Sequence, residues 1–425
     1  MARKMKDSGI EWIGEIPEGW EVLAHKYIMH KEKSICEHYS GEDVISLTLN
    51  GVVKRDLENP SGKMPTTFDG YQFVDPNDLL LCLFDIDVTP RCVGLVKDYG
   101  VTSPAYSRFK IHSGFCNAYY NYLLRFIDDE KVFVHLSKNL RSSLTESDFG
   151  AIKTIVPPKA EQQRIADYLD NRTFEIDTLL SKARSSIEEY KKLKQAVITQ
   201  AVTKGVRGER EMKDSGVEWI GEIPKEWVIQ KIKSISSRIN VGVVIRPSEY
   251  FDENGTVPFL RGINVKEYLI SSDNMVYINE SSNHILSKSQ VHTDDILIVR
   301  DGSIGTSCVV PAEYDGANVV SMVIVTPSTS CDSRFICYSL NSDVGKTQFT
   351  LTKIGSALTH TSVSAVSDII VAVPSCAEQK EIADYLDAKC AEIDGLIAKK
   401  EQLVKELESY KKSLIYEVVT GKREV

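Results

Sequence analysis

The fold is decided by the stretch Met5-Lys-Asp-Ser-Gly-Ile-Glu-Trp-Ile-Gly-Glu-Ile-Pro-Glu-Gly-Trp20, which returns as Met212-Lys-Asp-Ser-Gly-Val-Glu-Trp-Ile-Gly-Glu-Ile-Pro-Lys-Glu-Trp227. Thirteen of the sixteen positions are identical, at an offset of 207 residues. Self-similarity of this kind indicates an internal duplication, and it is the first pattern to look for in a sequence. The chain is therefore predicted to be one structural unit used twice.

A second repeated block follows at a different offset. Val156-Pro-Pro-Lys-Ala-Glu-Gln-Gln-Arg-Ile-Ala-Asp-Tyr-Leu-Asp170 returns 217 residues later as Val373-Pro-Ser-Cys-Ala-Glu-Gln-Lys-Glu-Ile-Ala-Asp-Tyr-Leu-Asp387, and this register continues without a gap to Thr203 and Thr420. The segment between the blocks is therefore ten residues longer in the second half, and the two segments show little similarity. A constant frame with divergent inserts predicts one scaffold that presents two specificities. The alternative is a recent partial duplication without functional meaning.

The bulk composition indicates several folded domains. The 425 residues, with 42% hydrophobic and 26% charged side chains, are enough for two to four domains. The longest apolar runs are strand-sized and too short to span a bilayer, and the N-terminus lacks the apolar segment of a secretory signal. Nine scattered cysteines without a Cys-x-x-Cys pair predict reduced thiols in the cytoplasm and no metal site. The net charge of −9 argues against binding nucleic acid by overall charge, although a local basic surface is compatible with it.

The repeated blocks divide the chain into alternating frame and insert segments. The predicted segments are an N-terminal repeat block at 1–22, a first insert domain at 23–157, a central helical spacer at 158–210, a second repeat block at 211–229, a second insert domain at 230–374, and a C-terminal helical spacer at 375–425.

Each half ends in a long helical pattern of about 43 residues. Its apolar positions alternate in steps of three and four, which predicts a seam that packs against a partner helix. The seam consists of Ile187, Tyr190, Val197 and Ala201 in the first half and Val404, Leu407, Leu414 and Val418 in the second, with Lys194 and Lys411 at equivalent polar positions that could set the register. Linkage favours pairing within one chain, and antiparallel pairing would relate the halves by a pseudo-two-fold axis. A dimerisation coiled coil is the alternative.

The two inserts have the periodicity of short strands joined by tight turns. Asn50-Gly51 lies between the apolar runs 44–49 and 52–54, and Asp301-Gly302 follows another such run, so both are predicted hairpins. Ser333–Leu340 is predicted to be a helix. The predicted fold class is α+β: two mixed α/β domains joined by two long helices that pair as an antiparallel coiled coil, with pseudo-two-fold symmetry.

Basic and amide residues at turns and strand ends are the candidate DNA contacts. Arginine and asparagine can form paired hydrogen bonds with guanine and adenine edges, whereas lysine mainly holds phosphates. Any one of these residues could equally be a solvated surface charge, so the prediction applies to the set. The set comprises Lys54, Arg55, Arg91, Lys97 and Arg141 in the first insert, and Arg246, Arg261, Asn264, Arg300, Lys346, Lys353 and His360 in the second.

The sequence contains no persuasive catalytic constellation. Gly345-Lys-Thr347 resembles the end of a phosphate loop, but Leu340 occupies the position where that pattern needs glycine. Glu189-Tyr-Lys191 fits the Glu-x-Lys of nucleases without a matching acidic strand. The duplicated blocks hold no nucleophile and no set of metal ligands. We therefore predict a recognition role without catalytic residues.

Two motifs of the repeated blocks carry a family resemblance. They are Asp-Ser-Gly-Ile/Val-Glu-Trp-Ile-Gly-Glu-Ile-Pro-x-x-Trp at the head of each half and Pro-x-x-Ala-Glu-Gln-x-x-Ile-Ala-Asp-Tyr-Leu-Asp at each helix start. Both resemble the specificity subunits of type I restriction–modification systems. Pro258-Phe-Leu-Arg-Gly-Ile-Asn-Val265 and Asp295-Ile-Leu-Ile-Val-Arg-Asp-Gly302 add to the likeness, which spans the whole chain.

The resemblance implies a division of labour with other proteins. Each insert would be a target-recognition domain that reads one half of a bipartite double-stranded DNA site in the major groove. The helices would set the gap and dock two modification subunits, which bring S-adenosylmethionine and methylate adenine; motor-nuclease subunits could join for cleavage. This chain would be non-catalytic and hold no cofactor. The changes from Lys159 to Cys376 and from Arg164 to Glu381 leave open whether both helix starts contact a partner equally.

Two other classes of function remain alternatives at this point. One is an enzyme that acts on nucleic acid by itself. The other is a scaffold that uses its helices to assemble proteins, with globular domains that bind peptides.

Overall fold

The computed structural model describes residues 3–49, 51–60, 65–137, 142–354 and 360–425, with the backbone alone for 352–354. The chain forms two compact units: unit 1 comprises Met1–Arg184 and Gln402–Val425, and unit 2 comprises Ser185–Glu401. The units cut across the predicted segments, because each long helix contributes its first part to one unit and its last part to the other. Each unit therefore combines one insert with parts of two helices.

Unit 1 contains twelve strands in its described residues. They are β1 (Met5–Asp7), β2 (Glu15–Pro17), β3 (Glu21–Ala24), β4 (Met29–Lys31), β5 (Val44–Thr48), β6 (Gly51–Lys54), β7 (Gln72–Val74), β8 (Leu79–Leu81), β9 (Val93–Leu95), β10 (Gly100–Thr102), β11 (Ser107–Ile111) and β12 (Lys153–Val156). Its helices are α1 (Asn117–Asp129), α2 (Val132–Leu136), α3 (Glu146–Ala151), the first part of α4 (Lys159–Lys204) and the last part of the C-terminal helix α9 (Cys376–Val419).

Two four-stranded sheets form the body of the first insert. Their strand orders are β6-β5-β10-β7 and β4-β11-β8-β9, and only the β5–β10 pair is parallel. The predicted hairpin is confirmed by the antiparallel register of β5 and β6, in which Thr48 pairs with Gly51; Asn50 lies outside the described residues. All three leucines of β8 are buried, because this strand lies between two others in its sheet.

Unit 2 contains the remaining strands and helices. The strands are β13 (Met212–Asp214), β14 (Glu222–Pro224), β15 (Val228–Lys231), β16 (Ser236–Val241), β17 (Val257–Leu260), β18 (Val265–Lys266), β19 (Leu269–Ile270), β20 (Val276–Ile278), β21 (Ile296–Val299), β22 (Ser307–Val309), β23 (Asn318–Val319), β24 (Met322–Pro327) and β25 (Ile370–Val373). The helices are the last part of α4, α5 (Glu280–Ile285), α6 (Ser333–Asn341), α7 (Asp343–Ile354), α8 (Val363–Ser367) and the first part of α9 (Cys376–Val419).

The second insert repeats the topology of the first despite the lack of sequence similarity. Its sheet β16-β24-β21-β22 matches β4-β11-β8-β9, and the parallel pair β17–β23 matches β5–β10. The predicted second hairpin is confirmed as β21–β22, and the predicted helix 333–340 is confirmed as α6. Gly345-Lys-Thr347 lies within α7 and forms no loop. The two inserts are therefore one fold carrying different side chains.

The two long helices pair with each other inside each unit. In unit 1, Arg184 pairs with Glu408 and Asp177 with Lys411, so the chain directions are opposite. In unit 2, Lys194 pairs with Asp394. The predicted antiparallel pairing within one chain is confirmed.

The ends of these helices follow the sequence signals. α4 has 46 residues and begins directly after Pro158, and α9 has 44 residues and begins two residues after Pro374. Gly205 and Gly421, with φ of +76° and +71°, follow the helix ends, where a residue in the left-handed conformation commonly terminates a helix.

The residues of the predicted seam differ in burial. Among its members, Ile187, Ala201, Leu414 and Val418 are buried, and Tyr190, Val197, Val404 and Leu407 are half-buried. Seven of the nine cysteines are also buried, and all nine are free thiols. In the described part of the chain, no helix is long and apolar enough to cross a membrane.

Candidate DNA-binding surfaces

The repeated motifs form the frame that positions the candidate surfaces. Gln162 donates through Nε2 to the Pro157 carbonyl at 2.8 Å and accepts through Oε1 from the Cys116 backbone N–H at 2.9 Å. Gln379 makes the equivalent bonds to Pro374 and to the Asp332 backbone N–H, at 3.0 and 2.9 Å. The glutamine of each Ala-Glu-Gln motif therefore fixes the start of α1 or α6 against the start of a long helix.

The other repeated polar residues serve the same frame. Trp20 is fully buried, and its Nε1 donates to Glu161 at 3.0 Å. The hydroxyls of Tyr122 and Tyr338 each donate to the aspartate that ends the second motif, Asp170 or Asp387, at 2.7 Å. Most of these contacts join a repeated block to the insert of the same unit, so these polar groups of the blocks are used in holding the insert in place.

The two polar seam residues pair with the aspartates of the repeated Glu-Ile-Asp sequences. Lys411 Nζ lies 2.6 Å from an oxygen of Asp177, and Lys194 Nζ lies 2.6 Å from an oxygen of Asp394. The two pairs occupy equivalent positions in the two units. Each pair joins residues about two hundred positions apart, one on each long helix. Such a contact can set the register of the two helices, which is the role predicted for the lysines.

In the first insert, the β5–β6 hairpin carries Lys54 and Arg55 beside a groove of about 390 Å³. Tyr106 also lines the groove, and burial raises its pKa, so its hydroxyl stays protonated and can donate a hydrogen bond. Lys54 contacts Asp43 at 2.7 Å, and this hydrogen bond raises the pKa of its ammonium. The mixture of basic, aromatic and amide groups suits contact with nucleic acid.

Arg91 and Lys97 line a second, larger cleft of unit 1 instead of the hairpin groove. Arg91 is mostly buried, donates from Nε to the Leu49 carbonyl at 3.1 Å, and lies 3.4 Å from Asp129. Lys97 is exposed. Arg141 lies outside the described residues.

In the second insert, hydrogen bonds bring four candidate segments to one edge of the unit. Ser321 joins two of them, because its backbone N–H donates to the Val243 carbonyl at 3.0 Å and its hydroxyl to Asp301 at 3.4 Å. Val320 N–H donates to the Leu260 carbonyl at 2.8 Å, and Arg300 Nε to the Thr361 carbonyl at 2.9 Å. The segments joined in this way carry Arg246, Arg261, Arg300 and His360.

Three candidates of the second insert do not belong to that edge. Asn264 is completely buried, and its amide group bonds to the Arg261 N–H and to two backbone carbonyls, so it stabilises the loop and has no free edge for a base. Lys346 contacts Glu267 at 2.7 Å and Gln195 at 3.3 Å, which ties α7 to the long helix. Lys353 lies in α7, and its side chain is outside the described part of the structure.

The structure adds residues that sequence reasoning missed. Ile245 and Ile263 are 81% and 55% exposed on the edge that carries Arg246 and Arg261, where apolar side chains could contact thymine methyl groups. Arg125 lines the larger cleft of unit 1. Residues of this kind give no local signal, because an apolar residue near a turn and an arginine within a helix are ordinary in any sequence.

Comparisons with known proteins agree on one family. A family model described as type I restriction modification DNA specificity domain matches residues 224–406. A putative type I restriction enzyme MjaX specificity subunit of Methanocaldococcus jannaschii is 27% identical over 310 residues, which cover 72% of this chain and 67% of that protein. The EcoKI specificity subunit of Escherichia coli K12 is 22% identical over 208 residues, covering 48% and 44%.

Two solved structures share the fold. One, from work on complex assembly and conformational transition of the type I R-M system, superimposes with a TM-score of 0.72 at 13% identity and covers 96% of this chain and 99% of the other. The HsdS subunit from Thermoanaerobacter tengcongensis gives a TM-score of 0.53 at 15% identity, covering 96% and 98%. Five curated relatives align over 43% to 67% of their own lengths.

The duplicated frame thus carries two inserts of one topology whose polar edges differ. Residues 224–406 match the model of a type I restriction modification DNA specificity domain, and the chain is similar to specificity subunits of type I restriction–modification systems. The family resemblance predicted from the repeated motifs is confirmed.

Proposed function

We propose that this chain reads a bipartite DNA target, with one half-site for each insert, and docks adenine methyltransferase subunits and, for cleavage, motor-nuclease subunits. The observation that carries this proposal is that the two units share their frame contacts and differ in their polar edges. The frame contacts recur in both units, whereas the polar edges of the two inserts differ in residue type and position. Two equal folds with unlike surfaces suit the recognition of two unlike sequences.

The groups at these edges suit base readout supported by backbone contacts. The exposed Arg246 and the half-buried Arg261 and Arg300 present forked donors, which match the acceptors of guanine in the major groove. Lys54 and Lys97 are exposed cations that suit phosphates. We expect no cofactor in this chain: S-adenosylmethionine would enter with the methyltransferase partners, and the complex would act in the cytoplasm.

A domain exchange tests the bipartite assignment. Residues 23–157 would be replaced by the corresponding insert of another specificity subunit, and the methylated sites would be mapped in a host that supplies the partner subunits. We expect one half-site to change and the other to stay. The reciprocal exchange of residues 230–374 is the matched control. Change in both half-sites after either exchange, or methylation without sequence preference, would contradict the proposal.

A matched insertion tests the role of the helices as a spacer. Seven residues would be added after Arg184 in α4 and after Glu401 in α9, which leaves the Lys411–Asp177 and Lys194–Asp394 pairs intact in their own units. We expect a longer gap between half-sites of unaltered sequence. An altered half-site with an unaltered gap would refute this role.

A further inference from the structure

Unit 1 contains a cleft that the proposed base-reading edges do not use. Its volume is about 760 Å³, and it lies between the β5–β6 hairpin, β9, α1 and the paired parts of α4 and α9. The apolar part of its wall includes Leu49, Leu95 and Ile415. All of these segments belong to unit 1.

The cleft has an excess of positive charge in a protein whose net charge is −9. Four cationic side chains line it, namely Arg91, Lys97, Arg125 and Lys411, against the two carboxylates Asp170 and Asp177. Both carboxylates already have partners inside unit 1, since Asp170 accepts from a tyrosine hydroxyl and Asp177 pairs with a lysine. Arg91 also lies 3.4 Å from Asp129, so Lys97 and Arg125 are the lining cations without an ion pair among the described residues.

Two guanidinium groups in the cleft have unused donors. Arg125 makes no hydrogen bond or ion pair with any residue that the structure describes, and burial together with the nearby Arg91 lowers its pKa. Nη1 of Arg91 is buried and has no hydrogen-bond partner in the described ranges. The desolvation of these two guanidinium groups is offset only in part by Asp129, which lies 3.4 Å from Arg91, and a bound anion would offset more of it.

The equivalent region of unit 2 has different side chains from the cleft of unit 1. The bonds of Tyr122 to Asp170 and of Tyr338 to Asp387 show that α1 and α6 are equivalent helices. In this comparison Asn341 occupies the position that corresponds to Arg125. Asn341 is buried, and its amide bonds to both backbone groups of Ser307.

The remaining space in unit 2 is also filled differently. The ring of Tyr268 lies 4.8 Å from that of Tyr338, and Lys194, the equivalent of Lys411, lies 5.7 Å from the Tyr268 ring centre. The corresponding cleft is about 370 Å³, and its one arginine, Arg334, contacts three aspartates. The duplication thus kept the frame, and the cleft of unit 1 is larger and lined by more cationic side chains than the cleft of unit 2.

We propose that the cleft of unit 1 binds a phosphate group, with Arg125 and Arg91 as its principal ligands. Guanidinium groups match phosphate oxygens in paired geometry, and a tetrahedral anion can reach two arginines at once, which a planar carboxylate does less well. The phosphate belongs either to a free anion or to the backbone of bound DNA; in the second case the inference rests on the proposed function.

The first experiment uses inorganic phosphate and the full chain. We expect calorimetric titration to show phosphate binding to the unmodified chain and a tenfold to hundredfold weaker affinity for Arg125→Gln, because a charge-assisted hydrogen bond is worth about that factor. Arg125→Lys should recover part of the loss. Arg172→Gln is the matched control, since Arg172 is an exposed arginine of α4 that pairs with Glu175 outside the cleft.

The second experiment uses duplex DNA of random sequence at several salt concentrations. If the DNA backbone supplies the phosphate, Arg125→Gln should weaken binding of all sequences alike and reduce the slope of log K against log salt by about one. Lys97→Glu, at an exposed lining residue, serves as a second variant if the melting curve of Arg125→Gln indicates misfolding.

The outcomes distinguish a free anion from a DNA phosphate as the ligand. They also distinguish failure of the cleft proposal from failure of the proposed function. Weaker binding of free phosphate alone supports a free anion, and a uniform loss of DNA affinity supports the backbone. Unchanged affinity for both probes in Arg125→Gln and Lys97→Glu would overturn the proposal. If the unmodified chain and its partners bind no DNA, the proposed function fails, while the phosphate titration still decides on the cleft.

Discussion

Replacement of His25 by isoleucine would give unit 1 the residue that unit 2 has at the equivalent position. His25 follows β3 as Ile232 follows β15, and each donates its backbone N–H to the carbonyl of the residue immediately before β12 or β25, at 2.9 Å. Both side chains are completely buried. Burial lowers the pKa of His25 from 6.5 to about 4, and the backbone of Phe149 offsets this only in part. His25 is therefore neutral in the folded protein at neutral pH.

The lowered pKa of His25 gives the expected size of the change in the free energy of unfolding. Between pH 6.5 and about 4 the unfolded chain binds a proton at this histidine that the folded chain excludes, so the free energy of unfolding decreases as the pH falls through this window. Since each pKa unit corresponds to about 1.4 kcal/mol, the full loss is roughly 3 kcal/mol. His25→Ile abolishes this contribution, and its advantage over the unmodified chain should grow by that amount on acidification.

The assay is urea unfolding followed by tryptophan fluorescence at intervals from pH 7.5 to 4. The contributions of all other titrating groups cancel in the difference between the variant and the unmodified chain. Ile232→His is the reciprocal variant and should introduce acid sensitivity into unit 2. A difference in unfolding free energy that stays constant with pH for His25→Ile would refute the reasoning.

Three further predictions concern the frame and the edges. Gly421→Ala should destabilise unit 1 by about 1–3 kcal/mol in urea unfolding, because φ is +71° and the added Cβ would lie 2.6 Å from Pro17; Gly395→Ala, inside α9 with open space around it, should stabilise instead. A double-mutant cycle on the exposed Asp177–Lys411 pair should give a coupling of about 0.2–1 kcal/mol that shrinks with salt, and a salt-independent value would contradict its electrostatic origin. Arg246→Ala should relax only one half-site in methylation mapping, and a change in both would contradict its assignment to one edge.

The sequence predicted the local features well. The hairpins β5–β6 and β21–β22, the helix α6 and both long helices follow from periodicity and turn residues, which act over a few neighbouring positions. The duplicated blocks also predicted the family. Their repeated apolar positions, such as Ile16 and Ile223, are buried in both halves.

The candidate site was predicted less completely. Arg246 and Arg300 lie on one edge as a set, but Asn264 is used inside the protein and Arg125 went unnoticed. Whether a polar side chain is available depends on groups that are distant in sequence. Asn264 is satisfied by the backbone around Asp273, and the equivalent of Arg125 is replaced in unit 2 by an asparagine that bonds to Ser307. No local pattern reports such contacts.

The sequence by itself determined that this protein is a duplicated frame with two long helices and unlike inserts, because repetition and helical periodicity are written in neighbouring residues. Only the tertiary structure decided that the unlike inserts share one topology, that each compact unit takes helix segments from both halves, and that Lys411 meets Asp177 while Lys194 meets Asp394. The physical reason is that these features consist of contacts between residues about two hundred positions apart, where burial and charge pairing are decided by packing.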